Sequence, residues 1–102
     1  MKLVTIKRAT VDGAVVCTGK LYKYGGFQFC ITKIDGLYAV IEISTGLKAC
    51  SAYSLECKTD RMCINSCKKW IKNNISLFSE GTLERSKKLL SKYGYKYPLN
   101  VI

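Results

Sequence analysis

The stretch FQFCITKIDGLYAVIEIS, residues 27–44, constrains the fold more tightly than any other part of the chain. Two runs rich in β-branched and aromatic residues flank Asp35-Gly36, a dipeptide suited to the two positive-φ positions of a type I′ hairpin turn. With Ile34 opposite Leu37, the register pairs Thr32 with Ala39, Cys30 with Ile41 and Gln28 with Ile43. Side chains alternate between the faces of a strand, so Cys30, Ile34, Leu37, Ala39, Ile41 and Ile43 share one face, which is expected to be the core. The opposite face carries Phe27, Phe29, Ile31, Lys33, Tyr38, Val40, Glu42 and Ser44. It is mixed in character and expected to be half exposed, a candidate platform for stacking.

Further strands are expected on both sides of this hairpin. Residues 2–10 are partly alternating and end at the turn signal Val11-Asp12-Gly13. Residues 14–18 and 20–24 follow, with Gly19 as a bulge or interruption between them. Gly25-Gly26 breaks the chain before the hairpin, and Thr45-Gly46 turns it into a last strand over 47–53.

From Thr59 the period changes. Cys63, Ile64, Cys67, Trp70, Ile71 and Ile75 fall on one helical stripe, with Thr59 or Asp60 as N-cap. A second helix is expected to start within 79–82 and to run to Tyr93, with Leu83, Leu89, Leu90 and Tyr93 inward and Gly94 as its stop. The tail, 94–102, reads as coil or an edge strand, with Pro98 marking the edge. The expected class is α+β: an N-terminal antiparallel β-meander of three to five strands (1–55), covered on one face by two C-terminal helices (59–93) in a single domain, 1–102.

Composition bears on function. With 48% hydrophobic residues and one Pro in 102 residues, the chain can build a packed core and does not read as disordered. No apolar run approaches the ~20 residues that cross a bilayer, and residues 1–13 lack a signal-peptide core, so a cytoplasmic location without membrane contact is expected. The six cysteines fall mostly where the apolar pattern calls for a small hydrophobe and are expected to be reduced, buried thiols. A disulfide or a thiolate metal site would have to draw on Cys50, Cys57, Cys63 and Cys67, none of which form a CxxC pair.

No catalytic residue is proposed, and no cofactor or metal is expected. The chain has no His, which removes the commonest general base and the usual activator of a nucleophile. Among the acids, Asp12 and Asp35 suit turns, while Asp60 and Glu80 suit helix starts. Glu42 is mid-strand with no second acid placed beside it. Tyr24-Gly25-Gly26-Phe27 matches neither phosphate-loop spacing.

Net charge is the stronger lead: 17 Lys plus Arg against 7 Asp plus Glu give +10. Residues 59–102 carry +6 of this and residues 1–58 carry +4. Lys68, Lys69 and Lys72 share a sector of the first helix; Arg85, Lys88 and Lys92 can form a stripe on the second. Tyrosines interleave with lysines at Tyr22-Lys23-Tyr24 and around Tyr95 and Tyr97, a pattern suited to stacking unpaired bases beside phosphates. Arg8, Arg61 and Arg85 are the only arginines, so base reading by bidentate Arg is not expected.

These features favour a small, basic, non-enzymatic module contacting nucleic acid through Lys stripes and exposed aromatics. The alternative is a protein-binding inhibitor or adaptor acting on a nucleic-acid-handling complex, presenting its basic face to an anionic protein surface. Small phage and mobile-element proteins such as anti-CRISPR inhibitors work in this way. A homodimer through a free sheet edge is a further option.

Overall fold

A computed structural model describes residues 2–52 and 59–102. Five strands, β1 (Leu3–Thr10), β2 (Gly13–Tyr24), β3 (Phe27–Ile34), β4 (Leu37–Glu42) and β5 (Leu47–Ala52), form one sheet in sequence order. Every pairing is antiparallel. Two helices follow, α1 (Asp60–Asn73) and α2 (Glu80–Lys92), with a 3-10 turn at Ile75–Phe78 between them. The α+β architecture is therefore as expected. No helix among the described residues is long and apolar enough to cross a membrane. Tyr53, the end of the strand expected over 47–53, and Cys57 lie outside the described residues.

The hairpin register matches the pairing of Ile34 with Leu37, Thr32 with Ala39 and Cys30 with Ile41. Both turn residues have positive φ, 51° at Asp35 and 83° at Gly36.

Gly19 does not interrupt the chain: β2 runs through it as one strand and changes partners at Lys20, which faces Leu3 of β1 and Ile31 of β3. A Cβ at Gly19 would lie 2.5 Å from the Ile31 carbonyl oxygen. The missing side chain thus lets β2 fold tightly over β3, and the Thr32 hydroxyl donates to the Thr18 carbonyl at 2.8 Å as the ladder ends. Farther on, the Ala9 amide donates to the Gly46 carbonyl at 2.8 Å, which ties the end of β1 to the β4–β5 turn and curls the sheet.

Curling explains why both sheet faces are buried. Cys30, Ile41 and Ile43 meet Ile6 on the concave side, with Val4, Cys17, Leu21 and Ile34 packed around them. That face was expected to be core. The other face, expected to be half exposed, is instead covered by the helical layer: Phe29, Ile31 and Val40 pack with Ile64, Cys67 and Ile71 of α1. Phe78 meets the Phe29 ring edge-on at 5.0 Å and Trp70 at 6.1 Å. Phe27, Phe29 and Tyr38 therefore serve as the floor beneath the helices rather than as an open platform.

Thr59 caps α1, its hydroxyl accepting from the Met62 amide at 3.2 Å. In α2 only Leu90 of the expected inward residues is fully buried; Leu89 and Tyr93 are 42% and 47% exposed.

The tail is coil, fastened alongside β1 by side chains. Asn100 accepts from the Lys7 amide at 2.7 Å and donates to the Lys7 and Ile43 carbonyls, both at 2.8 Å.

Candidate nucleic-acid interface

Tyr22 and Tyr24 are two residues apart on β2 and so project from the same face. Their rings stack with centroids 6.3 Å apart and planes within 6° of parallel. Lys68 reaches from α1 to lie 5.7 Å from the centre of the Tyr22 ring. This places an ammonium against a π face.

Beyond Tyr24, where β2 and β4 end and β3 begins, lies an open groove of about 610 Å³. Lys23 and Tyr24 from β2, Gln28 from β3, Glu42 and Ser44 from the β4 end, and Tyr97 from the tail contribute to its wall. Tyr97 is itself backed by Lys87, whose ammonium sits 4.7 Å from the ring centre. Lys87 also pairs with Glu84 at 3.2 Å. Tyr24, whose ring stacks on the lysine-backed Tyr22, and the lysine-backed Tyr97 therefore flank the same depression.

A hydrogen-bond chain organises the groove wall. The Tyr97 hydroxyl donates to Ser44 Oγ at 3.3 Å, and Ser44 Oγ donates to Glu42 Oε1 at 2.6 Å. The Thr45 amide and hydroxyl both donate to Glu42 Oε2, at 2.8 and 2.7 Å. Glu42, 8% exposed, thus keeps a buried carboxylate by closing the β4–β5 turn.

The sequence-derived residues separate into groups. Lys23, Tyr24 and Tyr97 converge on the groove, and Tyr22 with Lys68 adjoins it. Lys69 and Lys72 lie exposed on α1, while Arg85, Lys88 and Lys92 lie exposed on α2. Arg85 reaches the Thr82 hydroxyl at 3.3 Å and Lys92 lies 5.9 Å from the Tyr93 ring centre. Tyr95 is occupied in holding the fold, because its hydroxyl donates to the Thr10 carbonyl at 2.7 Å and accepts from the Thr10 amide at 3.3 Å. Sequence reasoning missed Gln28 and Ser44 as groove residues and Lys87 as the cation that backs Tyr97. For Lys87 the only local signal was Glu84 three residues earlier; its contact with Tyr97 depends on how the tail docks.

Cys17, Cys30, Cys50 and Cys67 are free thiols, as expected. Cys63 is disulfide-bonded, so the reduced reading applies to those four positions. Burial pushes the Cys30 thiol up to about 12 and Cys67 up to about 11. Cys50 is raised by burial too, and Cys17 is raised by burial against a lowering contribution from Arg8. Thiols held protonated in this way act as packing groups rather than nucleophiles near neutral pH. Among the described residues, no three of His, Cys, Asp and Glu gather to hold a metal ion.

No known family model matches the chain, and neither the curated proteins nor the solved structures include a significant match.

Proposed function

We propose that this protein is a small, basic, non-enzymatic module that binds single-stranded nucleic acid, with the groove between Tyr24 and Tyr97 receiving an unpaired base. The observation that carries the reading is the convergence of Lys23, Tyr24 and Tyr97, from separate parts of the chain, on one groove. Tyrosine rings offer every base a stacking face, and lysines track the backbone without reading sequence. Lys23 and Lys68 near the groove, with the exposed lysines of α1 and α2 outside it, supply the phosphate contacts in this reading.

Titration of labelled single-stranded DNA and RNA at two salt concentrations tests it. Affinity should fall steeply with salt. Tyr24→Ala and Tyr97→Ala, both at surface positions, should each weaken binding by roughly 5- to 100-fold, since a stacked base is worth about 1–3 kcal/mol. Negligible affinity at low salt, or full affinity in both variants, overturns the reading.

A second reading, a protein-binding inhibitor or adaptor, is favoured by one observation. Leu3, Val15 and Val16 leave large apolar surfaces exposed on the β1–β2 hairpin, Val16 at 66%. The readings separate cleanly. Val16→Glu should leave oligonucleotide binding intact under the first reading; under the second it should abolish capture of a partner that survives nuclease, whereas Tyr24→Ala should not.

A further inference from the structure

We infer that the site takes two consecutive bases, the second entering an apolar crevice between β5 and α2 and parted from the first by Leu83. The inference rests on the nucleic-acid reading and adds a second base subsite to it.

The crevice follows from the inward side of α2. Thr82, Ser86 and Leu90 fall at i, i+4 and i+8 and so lie along one side of the helix. Leu90, 1% exposed, seats the C-terminal half of α2. Two turns and one turn earlier, Thr82 and Ser86 have side chains too short to fill the equivalent space, and a hollow of about 250 Å³ remains. Leu47 and Ala49 of β5 face it, together with the rings of Phe27, Trp70 and Phe78. An apolar cavity of about 150 Å³ holds benzene, so this one admits a base of one or two rings. Water there meets a largely aromatic lining, and a planar ring gains by displacing it.

Continuity with the groove decides the occupant. Phe27, Glu42 and Leu83 line both the groove and the crevice, so the two depressions share a wall. Glu42 is buried in it and engaged by Ser44 and Thr45. Leu83 and Phe27 are half-buried and form the part of the wall a ligand meets. Apolar side chains set between neighbouring bases hold them unstacked, and Leu83 stands where it can do so.

Charge is arranged to match. Lys23 lines the groove and Lys48 lines the crevice, both exposed. The ion pairs among the described residues are Lys33–Asp60 and Lys87–Glu84, so neither lysine is spent on a carboxylate. One cation thus serves each depression, as the phosphates of two linked nucleotides require. The hydroxyls of Thr82 and Ser86 donate or accept equally well. They set no preference among bases, in keeping with sequence-independent binding.

The experiment uses the full chain and a 5′-phosphorylated thymidine dinucleotide, compared at low salt with the same dinucleotide lacking one base. The two ligands carry the same charge, and neither is long enough to shift register. The two-base ligand should bind about 5- to 100-fold tighter, the span of one stacked base. Trp70 is the only tryptophan of the chain, so its emission reports on the crevice directly and should be quenched by the two-base ligand. Ser86→Leu, which fills the crevice from α2, should abolish both the quenching and the affinity difference while leaving the one-base ligand bound as before.

Equal affinity for the two dinucleotides, with longer single strands still bound, overturns the second subsite and leaves single-strand binding standing. Failure of longer strands to bind at low salt overturns both. Quenching that persists unchanged in Ser86→Leu removes the crevice from the reading. Quenching by a short acidic peptide with one central phenylalanine, and not by the dinucleotide, overturns the inference and gives the crevice to an aromatic anchor of a protein partner.

Discussion

A methyl group at Gly19 would meet the Ile31 carbonyl oxygen at 2.5 Å, Cys30 Sγ at 2.7 Å and Thr32 Cβ at 2.8 Å. The first is backbone within a paired strand, so relief requires prising β2 from β3. Gly19→Ala is therefore expected to destabilise the protein by about 1–3 kcal/mol, the usual range for overpacking. Nothing lies within 4 Å of a Cβ built at Gly81 in α2, where the same substitution should stabilise by about 0.5–1 kcal/mol through helix propensity. Chemical denaturation of the two variants checks both signs. Equal effects would mean that Gly19 has room to spare. In the sequence Gly19 reads as a break in a strand; its reason is a close approach to residues 11 to 13 positions later, which no local pattern reports. Tyr95 and Tyr97 show the same limit: both sit among lysines, yet one hydroxyl holds Thr10 and the other reaches Ser44.

At the scale of elements, the tail protects the outer edge of β1. An edge strand presents unpaired amides and carbonyls that invite association, and here Asn100 satisfies both backbone groups of Lys7 while Tyr95 satisfies both of Thr10. Asn100→Ala removes three hydrogen bonds at once and should cost about 1.5–4.5 kcal/mol, each bond being worth roughly 0.5–1.5 kcal/mol net. Hydrogen exchange gives the sharper readout. The Lys7 amide should exchange faster in the variant, whereas amides of β3 and β4 should keep their protection; unchanged exchange at Lys7 would show that the tail does not hold the edge. This clasp was not legible beforehand because Asn100 and Lys7 are 93 positions apart and meet through a side chain. What was legible rests on local period: Asp35-Gly36 set the hairpin register, and the stripe from Cys63 to Ile71 set α1. Alternation separated the two faces of the hairpin correctly. It could not reveal that curling would close one face while α1 covered the other.

Across the whole molecule, that double burial places thiols in both cores. Cys30 lies in the concave core with Cys17 hydrogen-bonded to it; Cys67 lies on the buried face of α1, against the other side of the sheet. Burial raises both, to about 12 and about 11 from an ordinary value of 9.0. A raised acid titrates later in the folded chain than in the unfolded one, so its contribution to stability is fully present below pH ~9 and is lost as pH climbs through the folded values. A variant lacking both thiols isolates their contribution. Denaturation midpoints measured from pH 8 to 11 should fall more steeply in the wild type than in a Cys30→Ala, Cys67→Ala double variant, whose overall stability is lower but whose lysines are the same. Parallel profiles would show that the thiols ionise as readily folded as unfolded, and hence that water reaches one core or both.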